Sequence, residues 1–263
     1  MYTFVIILLV LICVSLSFYI FKTRSFSEPQ TEDIERKRKL ALYGMHNIFI
    51  NRAMRRNLKE FKEYSADLEA KFKGEREKKL EDFKLDLEKE AKEKDYSDDD
   101  IELINEYYEN EYAEVSDSKL LLYRKSTLMS LYTFLESQLH RVCILAKERN
   151  EITLDVSELK GEGVIRSKDY LKKHGLLDIT PINGEWSAIQ EFNKVRNCLV
   201  HCNGNIRFYR NENQIKKIVE KSQYLELLHD EILFINKDYI DFTISNIESF
   251  IEEVHRQVLS NDV

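Results

Sequence analysis

The chain opens on an uncharged apolar block and then changes character. Residues 4–21, FVIILLVLICVSLSFYIF, form 18 positions without a charged side chain. As a helix that is about the length that crosses a bilayer's hydrocarbon core. Residues 25–31, SFSEPQT, make a short polar break that contains a proline. Apolar residues then return at helical spacing. Met54, Leu58, Phe61, Leu68, Phe72, Leu80, Phe83 and Leu87 fall mostly three or four apart, with Lys/Glu runs such as GEREKKLEDFKLDLEKEAKEK between them. No further proline occurs before Lys94, so the pattern predicts one long charged helix with a narrow, drifting apolar seam. Such a seam suits pairing with another helix or with a second copy of the chain. The alternative is a solvated helix that packs only loosely on its own domain. The acids of residues 95–100, DYSDDD, suit the N-terminus of a second helix running to about Val115.

Broader apolar faces begin at residue 118. From Ser118 to Arg149 the pattern is helical, with Leu121, Leu128, Leu131, Leu135, Leu139 and Val142 on one face. Residues 150–184 read as irregular, apart from a short helix at 167–174 closed by Gly175. A second main helix begins near Glu185, with Trp186, Ile189, Phe192, Val195 and Leu199 on its apolar side. It must stop soon after His201, because Asn203-Gly204 is a helix C-terminal signal. A short helix at 213–220, two β-rich runs (YLELLH and EILFIN) flanking His229-Asp230, and a last helix at about 236–259 follow. The predicted fold class is mostly α. It comprises a transmembrane anchor over 1–24, a charged, coiled-coil-like helical region over 25–116, and a helical bundle with a small β-hairpin over 117–263.

Composition narrows the picture. Seven Gly and two Pro in 263 residues are far too few for a β-sandwich, a collagen-like repeat or flexible Gly/Ser linkers. The net charge of −7 lies mostly before residue 118, and the remainder is near neutral, so no basic nucleic-acid coat is present. No Lys or Arg precedes the apolar block, and Phe18, Tyr19, Ile20 and Phe21 fill the end where a signal peptide needs small residues. Lys22 and Arg24 are the first side-chain charges. The positive-inside bias then predicts a single-pass protein of the cytoplasmic membrane with its C-terminal domain in the cytoplasm. A cleaved signal or a buried core helix are the alternatives. Cys13 lies in the block, and Cys143, Cys198 and Cys202 form no spaced disulfide framework.

One cluster carries candidate chemistry: Arg196-Asn197-Cys198-Leu199-Val200-His201, followed by Cys202-Asn203-Gly204. Arg offers a permanently charged planar fork for phosphate oxygens, and His titrates near neutrality and can move protons. On a straight helix the two lie about 140° apart. The helix stop is expected to let the backbone bend and bring the imidazole back toward Arg196. The neighbourhood is locally basic: Lys194, Arg196, Arg207, Arg210, Lys216 and Lys217 stand against Glu212 alone over residues 192–219, enough to hold a phosphodiester.

This cluster, on the second long helix of an α-bundle, resembles the HEPN family. The family signature is an Arg, usually followed by a polar residue, with a His four to six positions from the Arg. Arg196, Asn197 and His201 match it, and the resemblance covers roughly residues 118–259. It implies a metal-independent, cofactor-free ribonuclease of the toxin or antiviral defence type. It also implies two motifs meeting across a homodimer, His201 in acid/base transfer and Arg196 steadying the phosphate. Glu136, in the FLESQL segment, is the carboxylate that the resemblance would place facing the site. RNA is the implied substrate, with Lys194, Arg207 and Arg210 as candidate contacts, and an antitoxin or regulatory partner is implied beside it. Family toxins paired with a nucleotidyltransferase antitoxin carry a Tyr two residues after the His. Here that position is Asn203, which departs from that pairing.

Blander readings stand beside this one. Arg196 can be a structural ion-pair residue, and His201 a cation favoured by the helix dipole. Cys198, His201 and Cys202 lack a fourth ligand at zinc spacing and read as small buried thiols. Trp186 reads as core, and His46, His140, His174, His229 and His255 as structural or exposed. Gly161-Glu162-Gly163 reads as a turn, without the strand and helix of a phosphate loop. The topology has a direct test: protease added to intact cells should spare residues 22–263, and protease added to inverted vesicles should digest them. Digestion from outside refutes the orientation.

Overall fold

The computed structural model describes residues 31–259. The span at 4–21, and the whole 1–24 anchor, lie outside the described residues. Among those described, no helix is long and apolar enough to cross a membrane. By its contacts the chain divides after Met45, and the bundle belongs to the unit that begins at His46.

The described chain is mostly helical with one small antiparallel two-stranded sheet. Helix α1 covers Thr31–Lys94 and α2 covers Asp98–Arg149. Between them Asp95 takes a left-handed φ of 53°, and Ser97 caps α2. The Ser97 hydroxyl accepts from the Asp100 amide, while the Asp100 carboxylate accepts from the Ser97 amide. This reciprocal box and three acids in the first turn fix where α2 starts.

The seam of α1 folds back on α2 of the same chain. Phe83 meets Tyr108, Tyr64 meets Tyr123 and Phe61 meets Phe134, with ring centroids 4.0, 5.9 and 5.9 Å apart. Lys84 pairs with Glu109 at 2.7 Å. Each partner lies about as far after the turn as its mate lies before it, the signature of an antiparallel helical hairpin. Leu68, Phe72 and Leu80 are half-buried along the same seam. Arg124 grips Glu69 through two bonds of 2.6 and 2.8 Å and also donates to the Ile235 carbonyl at 3.0 Å. That one guanidinium ties α1, α2 and the sheet together.

The helix break expected near Val115 is absent, and α2 runs unbroken through residues 112–117. Ser116, Asp117 and Ser118 each cost only about 0.5 kcal/mol in a helix relative to Ala. No Gly or Pro adds to them, so local cap-like chemistry loses to a continuous ladder of backbone bonds.

Beyond α2 the elements follow the predicted order with shifted bounds. They are α3 (Gly163–Lys173), α4 (Asn183–Cys202), α5 (Glu212–Lys221), β1 (Leu225–Leu228), β2 (Ile232–Ile235) and α6 (Lys237–Leu259), with short 3₁₀ turns before α3, α4 and α5. Leu225 pairs with Ile235 and Leu228 with Ile232. His229 and Asp230 make the tight turn at φ of 51° and 57°, and the Glu231 amide donates to the Leu228 carbonyl at 3.1 Å. The core joins α2 (Leu128, Leu131, Leu135, Leu139, Val142), α4 (Ile189, Phe192, Val195, Leu199) and α6 (Ile247, Phe250, Ile251, Val254). Met54 and Leu58 of α1 belong to it too.

His255 of α6 is fully buried beside Asn51 of α1, whose side-chain oxygen its Nδ1 contacts. Burial pushes its imidazole down to about 4, so it stays neutral at ordinary pH.

Leu58 separates a helix integral to the core from one packed loosely upon it. Leu58→Ala should cost about 2–5 kcal/mol in denaturant unfolding, as for a full core side chain. Leu85→Ala, at a position 52% exposed, should stay within about 0.5 kcal/mol. A Leu58→Ala loss as small as that of Leu85→Ala would remove α1 from the core.

Candidate nucleic-acid site between α2 and α4

The end of α4 is fixed before any chemistry is considered. Asn203 adopts a left-handed conformation at φ 50°, with Gly204 at 84°. The Asn203 and Gly204 amides both reach back to the Cys198 carbonyl, which satisfies an acceptor the helix leaves open. From α2, the Lys125 ammonium donates to the Asn203 carbonyl at 2.7 Å and its side-chain oxygen at 3.3 Å. A cation at a helix C-terminus is favoured by the dipole. Burial holds the Lys125 ammonium below its usual pKa. A Cβ on Gly204 would sit 3.4 Å from both Leu199 and Lys125, so the clamp leaves little room there.

Arg196 is organised by α2 as well as by its own helix. Its Nη1 donates to Asn197 Oδ1 at 2.9 Å, and Asn197 Nδ2 donates to Asn193 Oδ1 at 3.3 Å. The guanidinium carbon lies 5.1 Å over the Tyr132 ring, within cation–π range. Tyr132 in turn meets Phe192 edge-on at 5.5 Å. Burial and the Glu136 charge push the Tyr132 phenol up to about 12, with Arg196 opposing them. Burial also raises the Glu136 carboxyl above the usual range, and the Arg196 charge pulls the other way. Glu136 lies against the start of α3. A Cβ on Gly163, φ 55°, would stand 2.1 Å from Glu136 Oε1, so a side chain there would strain the backbone and displace the carboxylate. The Arg196 Nε is buried with no acceptor.

His201 stands apart. It is exposed, and α4 stays α-helical through Cys202, so the ideal offset of about 140° from Arg196 persists. The turn falls at Asn203, after the histidine, and does not swing the imidazole back. The structure thus gathers Arg196, Asn197 and Glu136, and leaves His201 on another face.

Lys194 is half-buried, Arg207 pairs with Glu231 at 2.7 Å, and Arg210 is exposed. Arg207 and Arg210 line an open cleft of about 550 Å³ with Phe208, which is 78% exposed. Sequence reasoning missed Tyr132, Lys125 and Gly163. The spacing of Tyr132 and Glu136, one helical turn apart on the flank of the leucine stripe, was the available signal for the first. Nothing local marks the other two.

Among the described residues no group of three or more His, Cys, Asp or Glu is placed to hold a metal ion. Cys198 is buried in the core and Cys202 is half-buried. No protein-family model, no curated protein and no solved structure matches the chain.

Burial pushes the Cys198 thiol up to about 11 and the Cys143 thiol up to about 12. Since the thiolate is the nucleophile, a Cys13→Ser chain at pH 8 should alkylate first at Cys202. Cys198 and Cys143 should react only on unfolding, as read by peptide mass spectrometry. Early labelling at Cys198 would contradict this packing.

Proposed function

We propose that the chain is a membrane-anchored, metal-independent endoribonuclease of the HEPN type, acting as a toxin or anti-phage defence effector. Residues 117–263 are its HEPN-like domain, and residues 4–21 its single span of the cytoplasmic membrane. The observation that carries the reading is the Arg196 fork. It is held by Asn197, laid on Tyr132, and left with a buried Nε that meets no acceptor. A buried unpaired donor is costly, and a phosphate oxygen is the charge-assisted partner that such a fork suits.

In this reading the RNA 2′-hydroxyl attacks the adjacent phosphorus as the 5′-oxygen leaves. One proton is taken from the attacking hydroxyl and one is given to the leaving oxygen. His201 performs one of these transfers while Arg196 stabilises the charge building on the phosphoryl oxygens. The nucleophile belongs to the substrate, so the protein supplies none. Asn197 keeps the fork aimed, Glu136 is the carboxylate that feels its charge, and Lys194, Arg207 and Arg210 hold the flanking RNA. One α4 presents Arg196 and His201 on different faces, so the reading includes a homodimer. A two-fold partner sets the histidine of one copy against the arginine of the other.

A second reading has its own support: a non-catalytic, membrane-tethered HEPN-like module that binds RNA or a protein partner. Its favouring observation is that Arg196 is already occupied by Tyr132 and Asn197 while His201 faces elsewhere. One experiment separates the two. The full chain is incubated with end-labelled single-stranded RNA in EDTA. The ribonuclease reading expects cleavage with 2′,3′-cyclic phosphate ends and no cleavage of DNA of the same sequence. His201→Ala should lower the rate about 10²–10⁴-fold. Arg196→Ala should do likewise, with poor rescue by Lys, which cannot fork two oxygens. Binding without cleavage, equal in wild type and His201→Ala, selects the second reading. Cleavage of DNA sinks the proposed chemistry.

A further inference from the structure

Between His46 and Glu63, helix α1 has two opposed faces. Met54 and Leu58 are 1% exposed and turn into the core with half-buried Phe61. Half a turn away, Ile48 and Phe49 are 68% and 62% exposed. Arg52, Arg56 and Lys59 continue the same stripe at spacings of three and four and are also exposed. Arg55 does not join them, because it turns toward α6 and pairs with Glu252. The sequence around this face is strongly polarised. From Arg36 to Lys59 it carries eight Lys or Arg and no Asp or Glu, within a chain of net charge −7.

We propose that this outer face of α1 lies on a bilayer surface bearing anionic phospholipid headgroups. Ile48 and Phe49 enter the boundary between headgroups and acyl chains, and Arg52 and Arg56 sit over the lipid phosphates. Two adjacent apolar side chains followed by cations, on a helix anchored by its other side, form the pattern of an interfacial helix. The run from Arg36 to Lys59, free of acids, is drawn to an anionic leaflet, and Glu60 and Glu63 close its far end. The partners that Arg56 and Lys59 already have are exposed one-turn pairs, Glu60 at 3.9 Å and Glu63 at 3.2 Å. Pairs of that kind hold little energy and yield readily to phosphate. A bare RNA backbone would leave Ile48 with nothing to cover it. The inference rests on this face alone, neither on the ribonuclease reading nor on the span at 4–21.

The test places a reporter on the face. Phe49→Trp in the full chain touches no core contact, and Trp186, buried at 7% exposure, contributes a constant background. The protein is reconstituted with vesicles of brominated phosphatidylcholine, alone or mixed with phosphatidylglycerol. Bromine quenches a tryptophan only near contact. The expected result is quenching with a blue shift in the anionic vesicles, little in phosphatidylcholine alone, and recovery at high salt, since exposed charges are screened. Arg52→Glu with Arg56→Glu should abolish the quenching. Flotation of that double variant with the vesicles reads the separate span. Equal quenching in both lipids, or none in either, overturns the proposal. So does a shift produced without vesicles by raising protein concentration or adding single-stranded RNA, which would assign the face to a second copy or to nucleic acid.

Discussion

The structure depends on α2 being one uninterrupted rod. A helix turns about 100° per residue, so a single long helix can serve several neighbours only by giving each its own strip. Leu128, Leu131, Leu135 and Leu139 define the strip that faces the core. Tyr123 and Phe134 lie to one side of it and meet α1. Lys125, Tyr132 and Glu136 lie to the other side, toward α4, where Lys125 and Tyr132 meet Asn203 and Arg196. A kink between the hairpin half and the bundle half would rotate these strips against one another. The α1 contacts and the α4 contacts would then lose register together.

That division explains what was legible in the sequence. The periodicities of α1, α4 and α6 are local, and so is the Asn203-Gly204 stop, so the element order could be read directly. The continuity of α2 was masked. Ser116, Asp117 and Ser118 look like a cap, but their small propensity cost, with no Gly or Pro beside them, does not break the helix. The partner of the α1 seam was likewise hidden. A seam of Phe and Leu at helical spacing says that something covers it, not that α2 of the same chain does. Within the site, the Arg196–Asn197 pair was visible as neighbours in sequence, whereas the ring beneath the arginine comes from a residue 64 positions earlier.

The electrostatics of the α2–α4 contact are unusually one-sided. Burial raises the Glu136 carboxyl and holds the Tyr132 phenol neutral, both pushed in the direction that weakens negative charge beside Arg196. The guanidinium is held by a ring face and a side-chain amide, and among the described residues no carboxylate closes on it as an ion pair. An anion that approaches a cation supported in this manner need displace no paired carboxylate.

The position of His201 follows from the rigidity of the same contact. The Lys125 bonds to Asn203 and the close approach of Gly204 to Leu199 hold the last turn of α4 in place. A frayed terminus could let an imidazole wander toward Arg196, but a clamped one cannot. The helix separates the two residues by about 7.5 Å of rise as well as by about 140° of rotation. Any chemistry using both on one phosphate must therefore bring a second helix end to the first, and chemistry using either alone needs no partner. Under the ribonuclease proposal, the stiffness of a single helix terminus therefore ties oligomeric state to mechanism. Loosening Lys125 would uncouple the two without touching either side chain.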